Sequence, residues 1–169
     1  MLSNPCKNYD WGSPFFIPQL LQMEADPKIP VAEMWIGAHQ ADSSILIEVE
    51  GQPSLREYIL NHPLEALGKA SDLYKGELPF LLKVLAAEKP LSIQVHPSEK
   101  KAKKGFFREN KLGIPLDSPS RNFRDPYPKP ELLCALTEFN ALCGFREPDQ
   151  ILANFSSANL TELFPSLSI

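Results

Sequence analysis

In the hexapeptide Leu91-Ser92-Ile93-Gln94-Val95-His96, apolar and polar residues alternate strictly. A period of two places a hydroxyl, an amide and an imidazole on one face of an extended chain and three aliphatic side chains on the other. An ordinary half-exposed strand would carry Lys, Glu or Thr on its wet face, whereas these three groups hydrogen-bond or coordinate. Pro97 stops any ladder directly after the histidine. Two readings stay open here: an edge strand with a solvated polar face, or a strand lining a cavity. Lys83 adds to the question because it lies inside the apolar run Phe80-Leu81-Leu82-Lys83-Val84-Leu85. An unpaired ammonium there would carry a burial cost of several kcal/mol unless it neutralised or found an anion. A carboxylate would satisfy it, and so would an anionic ligand such as a phosphate. Further on, Glu131 follows Lys129-Pro130 and opens the apolar run Leu132-Leu133-Cys134-Ala135-Leu136-Thr137, which brings a carboxylate to a second expected strand. Gln94, His96 and Glu131 form an N/O donor set from two strands joined by one long crossover. Such a set suits a divalent transition metal with an open position; zinc is the first candidate, although glutamine is an uncommon zinc ligand.

The elements that must position these groups follow from turn chemistry and periodicity. Asn8 to Pro14 is a turn cluster between a short strand and a proline-broken segment near Phe15 to Leu21. Trp11 within it is a candidate lining residue, although a lone tryptophan more often belongs to a core. Ala32 to Gly37 reads as a strand whose Glu33 sits among large apolar neighbours, a candidate partner for Lys83 or for another buried donor. His39, just past Gly37, reads as a loop residue. Ser44 to Glu48 is expected to be a strand, and Ser54 to cap a short surface helix that Pro63 interrupts. Ser98 is expected to cap a helix with a basic outer face. Gly113 to Pro130 carries prolines at 115, 119, 126, 128 and 130 and reads as an irregular loop. A loop of that length in a compact domain tends to be functional.

At 169 residues the chain can bury one substantial core, with one domain plus a fragment of another as the natural count. A composition 43% hydrophobic and 22% charged fits a globular protein, and 17 prolines favour short strands and turns over long helices, hence a β-rich body. The net charge of −4 argues against nucleic acid or an anionic membrane as partner. The basic helix after His96 holds six of the 17 Lys and Arg residues and reads as a solvated face. No apolar run reaches the ~20 residues of a membrane span and no signal-peptide core is present, so a cytoplasmic location is expected. Cys6, Cys134 and Cys143 lack metal-knuckle spacing, and the latter two read as small buried hydrophobes.

Four stretches carry a family resemblance: NYDWGS at 8–13, AEMWIGAH at 32–39, PFLLKVLAAEKPLSIQVHP at 79–97 and GIPLDSPSRNFRDPYPKPELLCALTEF at 113–139. They resemble the type I phosphomannose isomerases, zinc-dependent mannose-6-phosphate isomerases of the cupin class, with similarity from about Asn8 to Phe155. The resemblance implies a mainly β fold, a cupin-like jelly-roll β-barrel with short helices and the start of a helical insertion. It places a cupin-like metal-binding domain at 1–145 and the beginning of a helical domain at 146–169. It further implies that Gln94, His96 and Glu131 bind one Zn2+, that Lys83 and Ser92 serve the substrate phosphate, and that Lys129 lies close to the sugar. Lys129 would assist proton movement if burial disfavoured its charged form. The implied substrates are mannose 6-phosphate and fructose 6-phosphate.

Two departures from the family pattern stand out. Pro128 occupies the place where the family usually has a histidine before the KPE lysine. Family members also continue into a second cupin half that supplies another zinc-binding histidine and a phosphate-binding arginine, so a missing C-terminal half and little activity of the chain alone are expected. A metal-binding cupin without catalysis and a sugar-phosphate-binding regulatory module are the other classes left open.

Overall fold

Alternation in Glu33-Met34-Trp35-Ile36 sorts the sheet at the centre of the first unit into two faces. The structure, a computed structural model, describes residues 1–160. Its described residues fall into two compact units that meet in sequence between Val95 and His96. In the first, β1 (Leu2–Ser3), β2 (Cys6–Lys7), α1 (Phe16–Leu20), β3 (Glu33–Ile36), β4 (Ile45–Leu46), α2 (Leu55–Asn61), α3 (Pro63–Leu67), α4 (Ala70–Tyr74) and β5 (Leu82–Leu85) follow in order. β2, β3 and β5 form an antiparallel sheet with β3 in the middle, and β1 pairs with β4. The register sets Lys7 opposite Glu33 and Lys83 opposite Trp35. Lys7, Glu33, Trp35 and Lys83 therefore share one face, and Cys6, Met34, Ile36 and Val84 share the other. That second face is the core, where Ile17, Met34 and Ala86 are buried and Cys6, Phe16, Val31, Ile36 and Val84 pack against them. Burial pushes the Cys6 thiol above its usual range.

Local signals fixed several elements as expected. Ser54 and Glu57 form a reciprocal capping box on α2, and Pro63 at the first turn of α3 begins a separate helix. The turn cluster 8–14 brings Gly12 against the backbone of Ala32. A Cβ on Gly12 would lie 2.5 Å from Ala32 Cα and N, so only glycine fits there. The expected strand from Ser44 to Glu48 is shorter, with ladder pairing confined to Ile45–Leu46.

In the second unit, α5 (Glu99–Lys111) carries the irregular segment 113–130, and α6 (Pro148–Ser157) follows, with Glu147 at its N-cap and Pro148 at its first turn. Ser98 stands at the N-cap of α5, but its hydroxyl makes no cap bond; its carbonyl accepts from Ala102 N instead. Of the expected helical domain at 146–169, positions 161–169 lie outside the described residues.

Three expectations are corrected. Neither Leu91–His96 nor Glu131–Thr137 joins a ladder among the described residues. Ile93 is accordingly 76% exposed and Leu132 99%. With those two segments unpaired, helices cover more of the described residues than strands, and no closed barrel forms among them. Cys134 and Cys143 are exposed rather than buried, since the run that holds them has no sheet to face. No helix among the described residues is long and apolar enough to cross a membrane.

Candidate functional site

Sheet register builds the first cluster. Glu33, two residues before Trp35 on β3, points to the same side, and its Oε2 accepts from Trp35 Nε1 at 2.6 Å and from Lys83 Nζ at 3.3 Å. The indole lies between two ammonium groups, with Lys7 Nζ 4.3 Å and Lys83 Nζ 5.0 Å from the ring centroid. Lys7 is also bonded to Asp42. Cation–π contacts of this kind contribute about 0.5–1 kcal/mol each where water reaches them. Lys83 is less buried than its apolar flanks suggest: its side chain is 38% exposed, whereas that of Glu33 is 9% exposed. The anion that the sequence called for is thus present in the fold as Glu33. The exposed part of the ammonium remains open to a second anion.

Around it, Trp11 stacks on Tyr9 with ring centroids 5.7 Å apart, and its carbonyl accepts from Glu88 N and Lys89 N. That anchors the turn cluster to the chain after β5. Ser92 and Gln94 lie exposed in the unpaired segment that closes the first unit. His39 is an exposed loop residue whose Nδ1 accepts from Ala41 N and whose ring meets Trp35 edge-on at 4.8 Å.

The second cluster belongs to the other unit. His96 Nε2 is buried and has no hydrogen-bond partner among the described residues, and Glu131 Oε2 lies 3.6 Å from it. A buried ring nitrogen left without a partner costs on the order of 1–3 kcal/mol, so this atom is arranged for something other than internal bonding. Two donors that share a tetrahedral zinc at ~2.0–2.2 Å each sit about 3.4 Å apart, close to the separation found. Among the described residues, no three His, Cys, Asp or Glu side chains gather as a metal-holding set. The glutamine amide Gln94, two residues before His96, is the further donor of matching chemistry. Lys129 is more than half exposed and pairs with Asp125 Oδ2 at 3.1 Å, while Asp125 Oδ1 accepts from Tyr127 N in an Asx turn.

Sequence reasoning missed one network altogether. On α5 the buried positions are Ala102, Gly105 and Glu109, a helical stripe of two small residues and one acid. Gly105 lets Phe123 pack against the helix, and Glu109 Oε2 accepts from Phe123 N at 2.8 Å and Asn122 N at 3.1 Å. Arg121 Nε lies 3.2 Å from the same carboxylate oxygen. Arg121 also donates to the carbonyls of Phe123 and Ile114 and to Asn110 Oδ1, at 2.6–2.7 Å, with its guanidinium over the Phe106 ring. The Phe123 N–H above all, then the Asn122 groups and the Arg121 charge, hold the Glu109 carboxyl below its ordinary range against the opposing effect of burial. An acid in the buried stripe of a helix was the signal available in the sequence.

Comparison with known proteins bears on both clusters. Residues 1–148 match the catalytic domain of phosphomannose isomerase type I. Mannose-6-phosphate isomerase of Escherichia coli (strain K12) is 46% identical over 153 residues, which is 90% of this chain and 39% of that protein. The human mannose-6-phosphate isomerase is 39% identical over 124 residues, 73% of this chain and 27% of the relative. The chain thus spans well under half the length of the curated relatives it matches. Among solved structures, the Salmonella typhimurium mannose 6-phosphate isomerase bound to its substrate fructose 6-phosphate and zinc superposes with a TM-score of 0.82 at 41% identity, covering 97% of this chain and 44% of that one. A mannose 6-phosphate isomerase bound with zinc and yttrium gives a TM-score of 0.80, also at 41% identity, over 97% of this chain and 43% of the other. By sequence and by fold alike, the chain belongs to the type I phosphomannose isomerase family.

Proposed function

We propose that this chain serves the interconversion of mannose 6-phosphate and fructose 6-phosphate, with Gln94, His96 and Glu131 holding one zinc ion. The observation that carries the reading is the buried His96 Nε2, without a hydrogen-bond partner among the described residues, at a separation from Glu131 Oε2 that one ion would bridge. Similarity to zinc-bound isomerase structures supports it. The finer fold expectation, a cupin-like jelly-roll with its first domain at 1–145 and a helical domain from 146, belongs to the same proposal, as does a cytoplasmic location.

In this reading the sugar phosphate meets Lys83 and Ser92, and Trp11 lines the approach. Lys83 keeps Glu33 on one side and offers its exposed side to the phosphate, so its charge is positioned before the ligand arrives. Zinc, when bound, supplies Lewis-acid polarisation of the sugar oxygens as negative charge develops. The reaction takes a proton from C2 of the aldose and returns one to C1 through an enediol, so that the carbonyl passes from C1 to C2 with no net gain or loss of atoms. Lys129 stands near the proton path. Its pairing with Asp125 fixes where its ammonium lies, and loss of water around it on sugar binding is what would fit it for proton movement.

Elemental analysis of protein purified without chelator, comparing the parent with His96→Ala, tests the metal assignment. About one zinc per chain in the parent and little in the variant is expected; equal zinc in both refutes it. Conversion of mannose 6-phosphate is then measured with added zinc, for the chain alone and mixed with the part of the E. coli relative that the chain does not match. Turnover under either condition supports isomerase function. Bound zinc without turnover under both would instead mark a non-catalytic metal-binding cupin. Affinity for mannose 6-phosphate that is independent of metal would mark a regulatory sugar-phosphate module.

A further inference from the structure

We infer that Glu109 and Arg121 are positioning residues for the segment that delivers Lys129 and Glu131, an inference that rests on the metal reading above. Both side chains are almost wholly withdrawn from water, at 3% and 0% exposure. Two charges in that position lower stability unless every polar atom is matched, and here the match is close to complete. Apart from Asn110 Oδ1 on α5 itself, the hydrogen-bond partners come from one stretch of chain. Ile114 O, Asn122 N and Phe123 N and O are bonded by a carboxylate on α5 or by a guanidinium that itself lies against that carboxylate.

Segment 113–131 has no regular secondary structure. Its backbone groups therefore need side-chain partners to hold one shape. The clamp supplies them at 114 and 121–123, leaving eight residues from Arg124 to Glu131, within which Asp125 bonds Tyr127 N and Lys129 Nζ. Phe123, held against α5 by Gly105 and Glu109, is the fixed point from which the chain runs to Glu131. Partners that orient metal ligands typically carry a 10- to 100-fold effect on metal affinity, and a clamp eight residues from the ligand belongs at or below the lower part of that range.

The test uses the full chain with Glu109→Gln, Arg121→Lys and His96→Ala. Glu109→Gln keeps the size and removes the charge, and Arg121→Lys keeps the charge and removes the fork of donors. Zinc affinity is measured by competition with a chromophoric chelator, and backbone hydrogen exchange is followed by mass spectrometry. The expected result for both clamp variants is zinc bound about 5- to 20-fold more weakly, faster exchange in peptides covering 114–131, and unchanged exchange in peptides from residues 1–95. Zinc affinity within twofold of the parent in either clamp variant overturns the inference, whatever the exchange pattern. Loss of protection in residues 1–95 overturns it too, since that marks a general folding role. If the parent itself binds no zinc that His96→Ala removes, the metal reading fails first and this inference falls with it.

Discussion

Lys83→Met isolates what the ammonium does for the buried carboxylate beside it. In the parent, Glu33 Oε2 accepts from both Trp35 Nε1 and Lys83 Nζ. Methionine keeps the aliphatic stem of Lys83 on the sheet but leaves a 9%-exposed carboxylate with the indole N–H alone. Removing one partner of a fully buried pair costs about 3–5 kcal/mol. Lys83 is 38% exposed and water already screens part of the interaction, so roughly half of the lower figure applies, ~1–2 kcal/mol. Glu33→Gln on the Lys83→Met background replaces the stranded charge with an amide whose carbonyl still accepts from Trp35, and most of the loss should return. With a urea slope of about 2 kcal/mol per molar, the single variant should shift the unfolding midpoint down by ~0.5–1 M. The assay is urea unfolding at pH 7 and 25 °C, followed by tryptophan fluorescence, for the parent, both single variants and the double variant. A Lys83→Met midpoint equal to that of the parent refutes the pairing argument. A double variant no more stable than Lys83→Met refutes the claim that the stranded charge, rather than lost packing, carries the cost.

Gly105→Ala sets helix propensity against packing: alanine gains about 1 kcal/mol in a helix interior, but its Cβ would lie 2.5–2.6 Å from three Phe123 ring carbons, so a net loss of ~1–3 kcal/mol is expected and a raised melting temperature refutes it. The Glu109 carboxyl titrates below its ordinary 4.5 in the folded chain, so its stabilising contribution is present above that pH and is lost as pH falls through the lower folded value. Thermal melts from pH 6 down to pH 3 should therefore fall more steeply for the parent than for Glu109→Gln, and parallel curves would refute that. Pro128→His restores a side-chain donor and a backbone N–H next to Lys129, and zinc affinity or turnover should rise; no change in either shows the proline to be neutral.

Legibility in the sequence followed the range of the interaction. The cap at Ser54, the break at Pro63, the β3 strand and the candidate pairing of Glu33 with Lys83 all rest on spacing within a few residues or on an acid and a base among apolar neighbours. The pairing of Glu109 with Arg121 is not legible in the sequence, because the two stand twelve positions apart across the end of α5 and an irregular loop, and no local spacing rule links them. The apolar flanks of Lys83 suggest deeper burial than its side chain has. Phe80 and Leu82 beside it are exposed, and an apolar flank signals burial only where something covers it.

That distinction also bears on the two segments that join no ladder. Alternation in Leu91–His96 and the apolar run after Glu131 specify which side chains share a face, and a strand needs in addition a neighbour whose N–H and C=O groups complete the ladder. No pattern within a single segment encodes that neighbour. A ladder would fix the direction of every side chain along it; in its absence, the contact between His96 and Glu131 depends on how each is tethered from outside. Glu131 is tethered through Phe123 and the charged clamp on α5, and His96 stands three residues before that helix begins. The geometry of the candidate zinc ligands in this unit is therefore a property of α5 and what it binds more than of the strand pattern that first drew attention to them.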